Sequence, residues 1–205
     1  MKPVPRFSSL LVSGLLLAGL AGCASSPPAR FYTLEARSVA MPAASKADYS
    51  VLVGPISIPD LVDRPQMVLR VDASRVTIAE QDRWAEPLKI AITRALAGNL
   101  GQLLAGARVA SYPQATGSPA DFQVFVDVQT FDAALGSGST VEVLWTVKAG
   151  DGKSEKAGRS VSREAASGGD HAVLVAAHER ALAAISREIA VAVRELAAAP
   201  GNRNP

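Results

Sequence analysis

Apolar residues recur along this chain with two different periods, and the period assigns each segment to strand or helix. Between Tyr49 and Ile58, apolar side chains at Val51, Val53, Ile56 and Ile58 predict a strand. Pro55 within it lacks a backbone donor, which argues for an edge position or a strand end. Phe31-Tyr32-Thr33-Leu34 has strand composition, and Ala36 to Lys46 reads as a loop. Met67 to Val71 and Val76 to Ile78 are short strands separated by Asp72-Ala73-Ser74-Arg75, which predicts a hairpin. Arg108 to Tyr112 is another short strand, followed by a loop from Tyr112-Pro113 to Pro119. Phe122, Val124, Val126 and Val128 share a face of a strand reaching Phe131. Val141, Val143, Trp145 and Val147 do the same in a strand ending at Ala149. Leu135 to Thr140, rich in glycine and serine, reads as a flexible connection between these two strands. Gly150-Asp151-Gly152-Lys153 is a hairpin turn before a returning strand at Lys156 to Arg163.

Two segments switch to the helical period. Pro87 opens the first at a position that tolerates a missing N–H. Leu88, Ile92, Ala95, Leu96, Leu100 and Leu103 then form a buried stripe, and Gly106 ends it. Gly168-Gly169-Asp170 supplies a break and an N-cap for the second, which runs to about Ala199. Leu174, His178, Ala181, Leu182, Ile185, Ile189, Ala192 and Leu196 lie on one face of it. Its many alanines allow close approach to a sheet, and Pro200-Gly201 terminates it.

The first residues change how the rest is read. Lys2 and Arg6 precede an apolar run from Leu10 to Ala21. That run is well short of the ~20 residues a helix needs to cross a bilayer, so it reads as a signal segment. Leu20-Ala21-Gly22-Cys23 resembles the bacterial lipobox, and Cys23 is the only cysteine in the chain. The expectation is therefore a signal peptide at 1–22 and a lipidated cysteine with its tether at 23–30. A folded domain at 31–199 and a disordered tail at 200–205 follow. Loss of the signal removes Lys2 and Arg6, which leaves 19 basic against 19 acidic side chains in the mature part. A basic nucleic-acid footprint is thereby excluded. With Cys23 lipidated no disulfide can form, so the domain must be held by its own core. The tether from Ala24 to Arg30 spans at most about 23–25 Å, which keeps the domain close to the membrane. Ala24 in place of an aspartate favours the inner leaflet of the outer membrane, facing the periplasm.

Candidate chemistry is sparse. Gly150-Asp151-Gly152-Lys153-Ser154 resembles a phosphate loop, but Val147 stands where that motif needs its first glycine. A strand rather than a helix follows it. His171 and His178, the only histidines, lie seven apart, beyond the reach of one metal, and read as surface or interface residues. No Gly-x-Ser-x-Gly occurs after Cys23. Asp60 and Asp63 could do acid–base work in principle, yet a Pro-flanked loop beside Arg64 points to ion pairing. No enzyme, cofactor or metal is expected. Two polar loops remain: Asp60-Leu61-Val62-Asp63-Arg64-Pro65-Gln66 and Asp82-Arg83-Trp84-Ala85-Glu86-Pro87. One reading pairs Arg64 and Arg83 with local carboxylates while Trp84 packs under the helix start. The other makes the loops a docking surface, since Trp and Arg are favoured interface anchors.

The same segments carry a family resemblance. Val53-Gly54-Pro55-Ile56-Ser57-Ile58-Pro59-Asp60-Leu61-Val62-Asp63-Arg64-Pro65-Gln66 resembles the signature of the ABC-type transport auxiliary lipoproteins, the PqiC-like group. Arg83-Trp84-Ala85-Glu86-Pro87-Leu88, before a helix containing Asn99-Leu100, is similar to its second block. Tyr32-Thr33-Leu34 and Tyr112-Pro113 also fit. The resemblance implies a single α/β domain, a mixed β-sheet packed with two long helices at about 87–105 and 170–199. It further implies an auxiliary subunit that docks a periplasmic MCE-domain protein of a lipid transport system. Asp60, Asp63, Arg64, Gln66, Arg83, Trp84 and Glu86 are the expected partner-binding residues, and a homo-oligomeric collar would suit such docking. The alternative is a carrier that holds lipid in a cavity of its own.

Overall fold

Alternating valines become the inner face of a sheet, and the two helical stripes cover it. The computed structural model describes residues 27–37, 48–113 and 119–199. The expected signal peptide, Cys23 and the tail at 200–205 lie outside the described residues. The order is β1 Arg30–Tyr32, β2 Ser50–Ser57, β3 Gln66–Arg70, β4 Val76–Trp84, α1 Leu88–Leu103, β5 Arg108–Ser111, β6 Phe122–Ala134, β7 Gly138–Ala149, β8 Glu155–Ala165 and α2 His171–Ala198. One sheet runs β5-β2-β6-β7-β8 and the other β1-β4-β3. In the larger sheet, β2 pairs in parallel with β5 and β6, while β6, β7 and β8 are antiparallel. In the smaller, β1 is parallel to β4 and β3 antiparallel to it. This is a single α/β domain with mixed sheets and two helices, as the sequence predicts.

Burial follows the alternation. Val51, Val53, Phe122, Val124, Val126, Val141, Val143 and Val147 form the inner face of the larger sheet, all but closed to solvent. α1 brings Leu88, Ile92, Leu96 and Leu100 against it, and α2 brings Leu182, Ile185, Ile189 and Val193. Twenty-eight residues make α2 about 42 Å long. Asp170 caps it, accepting a hydrogen bond from the Ala172 N–H at 3.0 Å. The segment after β1 runs across both helices. Leu34 is fully buried, its carbonyl accepts from Arg94, and the Glu35 N–H donates to Glu179.

Several expectations are corrected. Pro55 sits in the second strand of five, not at the sheet edge. β5 pairs only with Ser50–Val53, and the register with β6 shifts between Val53 and Ile56. The missing N–H thus falls at a bulge, past the end of one neighbour. The flexible connection at 135–140 is instead a tight turn: β6 runs on to Ala134 and β7 starts at Gly138. Gly138 is required there, because a Cβ would lie 2.0 Å from the Glu164 carbonyl oxygen and the residue has φ +140°. β4 also continues to Trp84, so Asp82, Arg83 and Trp84 belong to a strand and not to a loop. His178 is no surface histidine. It is 3% exposed, with its ring stacked on Phe131 at 3.9 Å.

Candidate functional site at the start of the first helix

The two polar segments meet at one end of the domain. Antiparallel pairing of β3 with β4 sets Gln66 beside Arg83, and the Trp84 N–H donates to the Pro65 carbonyl at 2.7 Å. The Pro59–Gln66 segment is folded on itself: the Val62 and Asp63 N–H groups both donate to the Pro59 carbonyl. Val62 is thereby turned into the core, while Asp60, Leu61 and Asp63 face solvent. Lys89, in the first turn of α1, lies 3.7 Å from Asp63. Glu86 accepts from Arg94 at 2.5 Å, one turn further along α1.

The expected docking residues therefore fall into two sets. Trp84 is 7% exposed and braces the loop from beneath, packed edge-on near Phe131. Asp60, Asp63, Arg64, Gln66, Arg83 and Glu86 reach the surface to differing degrees. Gln66 donates to Glu80, and Arg83 donates to the Glu80 carbonyl. The Arg64 Nε is buried with no hydrogen-bond partner. A guanidinium holds five donors in a fixed fork, and the terminal amino groups of Arg64, which are not closed off in this way, are the ones open to an incoming acceptor. Sequence reasoning missed two apolar members, Leu61 and Ile90, which are 42% and 54% exposed at this same end. Their signal was faint, because single exposed apolar residues are common on any surface.

Directly behind the site is a buried charge that sequence reasoning passed over. Asp82 accepts from Arg30 at 2.8 Å and from the Tyr32 hydroxyl at 2.8 Å, and His171 Nδ1 lies 3.6 Å away. Burial alone would push the Asp82 carboxyl up. The hydrogen bonds from Arg30 and Tyr32, with the charges of His171 and Arg30, outweigh it and hold the group below the usual carboxylate range. Burial first, and then Asp82 as hydrogen-bond partner, push the Tyr32 hydroxyl up to about 12. The available signal was alternation: Arg30 and Tyr32 are two apart in β1, and their register partners are Asp82 and Trp84.

The interior leaves little space. Between the smaller sheet, β6 and α2, a cleft lined by Met67, Trp84, Phe131, Leu174 and His178 has a cavity volume of about 10 Å³. That is room for roughly one water, against ~300–1,000 Å³ for ligand pockets. Among the described residues no group of His, Cys, Asp and Glu could hold a metal ion. Nor is any helix there long and apolar enough to cross a membrane.

A family model described as the ABC-type transport auxiliary lipoprotein component matches residues 32–190, which include both segments of this site. Two crystal structures share the fold. One, of an uncharacterized protein, has a TM-score of 0.66 and 19% identity, covering 83% of this chain and 99% of that one. The other, a Xanthomonas campestris protein of the DUF330 family, has a TM-score of 0.66 and 19% identity, covering 82% and 97%. A PelC dodecamer from Paraburkholderia phytofirmans matches loosely, with a TM-score of 0.40, 13% identity and coverage of 78% and 96%. No curated protein matches the chain.

Proposed function

The chain belongs to the ABC-type transport auxiliary lipoprotein family, and from that premise we propose that it is the docking subunit of an MCE-type lipid transport system. In this reading Cys23 carries the lipid anchor in the inner leaflet of the outer membrane. The domain then offers its Pro59–Gln66 end to a periplasmic MCE-domain protein. The observation that supports it best is the convergence at that end. Two separate blocks of sequence build one surface, with exposed Leu61 and Ile90, the partly unspent Arg64, and buried Trp84 as a rigid floor. Apolar anchors ringed by charges are the usual composition of a protein docking patch.

The test is co-purification from detergent. Wild-type protein should bring down an MCE-domain protein. Leu61→Glu combined with Arg64→Glu should weaken capture about ten-fold, the loss of an anchor worth ~1.4 kcal/mol. Leu61 faces solvent and Arg64 is half-buried, so circular dichroism and melting temperature check that the double variant keeps the fold. Undiminished capture by the double variant would remove this surface from the reading, and failure of wild type to capture any MCE protein would remove the function. The carrier reading is disfavoured because the apolar interior cleft holds only about 10 Å³. The larger hollows, about 490 Å³ beside Arg70 and Arg163 and about 320 Å³ beside Phe125 and Leu144, are open surface clefts rather than enclosed apolar cavities. Native mass spectrometry should accordingly find no lipid beyond the covalent anchor.

A further inference from the structure

The direction of β1 shows from which side the chain enters the domain. β1 is parallel to β4, with Arg30 beside Asp82 and Tyr32 beside Trp84. Because the two strands are parallel, the chain enters β1 from the side of the turn that joins β3 to β4 and leaves it toward the Pro59–Gln66 end. Seven positions separate Arg30 from Cys23, and seven positions back along β4 from Asp82 is Arg75, in that turn. Seven residues reach at most about 23–25 Å, enough to span the run of β4 from Asp82 back to that turn.

That turn carries an apolar tip. Asp72 holds it shut, accepting from the Ser74 and Arg75 N–H groups at 3.0 and 2.8 Å. Val71, just before it, is 56% exposed. Beside it stands the β6–β7 turn, brought there by the Arg70 guanidinium, which donates twice to Asp132 at 2.8 and 3.0 Å. Leu135 at this second turn is 43% exposed. Most charges nearby are paired off, Arg70 with Asp132, Arg75 with Asp72, and Arg180 with Glu164, while exposed Arg163 has no ion pair among the described residues. The end is therefore an apolar pair within a rim of mostly paired charges and one spare cation, suited to the boundary between headgroups and acyl chains.

We infer that the β3–β4 and β6–β7 turns, through Val71 and Leu135, rest on the lipid surface to which Cys23 is tethered. The Pro59–Gln66 end is then held pointing away from it. The inference rests on the anchored reading of Cys23. It makes the anchor a device for orientation as well as attachment: lipid and turn tips fix two points, and the strand between them sets the angle.

The experiment uses the full lipidated chain in phosphatidylethanolamine–phosphatidylglycerol vesicles. A polarity-sensitive fluorophore is placed on Val71→Cys, Leu135→Cys or Leu61→Cys, since Cys23 is blocked by lipid. Probes at 71 and 135 should shift to the blue and lose intensity with quencher-bearing lipids, whereas the probe at 61 should do neither. The signals should persist in high salt and with phosphatidylglycerol omitted. Vesicles that float with the protein while 61 is quenched, or while neither 71 nor 135 is, overturn the orientation alone. Protein that does not float with vesicles overturns the anchored reading and this inference with it. A blue shift at 71 that grows with protein concentration in detergent, without vesicles, assigns the turns to a second copy and also overturns it.

Discussion

The five-stranded sheet turns rows of valine and phenylalanine toward two helices, whereas the three-stranded sheet gathers an arginine, a tyrosine and a histidine around a buried carboxylate. Burial of apolar side chains is non-directional and adds up over area, so the larger sheet is stabilised by many interchangeable contacts. A buried carboxylate is the opposite: it costs free energy to desolvate, and it fixes geometry because its partners must sit where they do. Here those partners come from β1 and the start of α2, so Asp82, on β4, sets the place of β1. The larger sheet makes the domain fold; the smaller one fixes where β1 lies.

That division can be broken by substitution. Leu182 on α2 is fully buried against the larger sheet, so Leu182→Ala should cost about 2–5 kcal/mol, from lost transfer energy plus a cavity. Asp82→Ala should cost less, about 1–3 kcal/mol, because it leaves the part-buried Tyr32 hydroxyl without its acceptor while the Arg30 side chain stays largely in water. Urea denaturation gives both values. The telling quantity is local: Asp82→Ala should raise hydrogen exchange at Tyr32 and Ala85, whose amide donates to the Tyr32 carbonyl, before it affects Val124 or Val143. Equal costs, with exchange raised evenly across both sheets, would make the two sheets one cooperative unit and end the distinction.

The larger sheet was legible in the sequence for the same reason that it is stable. A strand buried on one face writes its period into the chain, so Phe122–Val128 and Val141–Val147 could be assigned by counting. Both helices emerged from their stripes within a few residues of Leu88–Leu103 and His171–Ala198. The smaller sheet left no such trace. Its inner positions on β4 alternate a charge with an aromatic, Asp82 and Trp84, and Arg83 between them made the run look like a polar loop. Asp82 is inside only because Arg30 and Tyr32, fifty and more positions away, satisfy it. A tertiary partner cannot be read from the local pattern. The candidate site was half legible: the two blocks were found as sequence, but that Trp84 is a floor and Leu61 a tip follows from the fold of Pro59–Val62. The turn at Gly138 failed for a third reason, since glycine and serine mark a tight turn and a loose linker alike.

His178 lies at the seam of the two regions, stacked on Phe131 of the larger sheet and 6.4 Å from Trp84 of the smaller, and it offers the subtlest test. Burial pushes its imidazole down to about 3, far below the ordinary 6.5, and its Nδ1 has no partner. The folded state therefore holds it neutral, while the unfolded chain protonates it below pH 6.5. Between pH 6.5 and 3 the unfolded state binds the extra proton, so stability falls as pH falls, by about 1.4 kcal/mol per pH unit. Below 3 both states are protonated and this contribution stops changing. His178→Leu keeps an apolar side chain in the seam and removes the titration. Melting curves of the two proteins should diverge steadily from pH 6.5 to 4.5, the wild type losing more, while contributions from Asp82 and the other carboxylates cancel in the difference. Curves that run parallel over that range would mean that water reaches the seam, and that the two sheets part there more readily than their shared aromatic contacts imply.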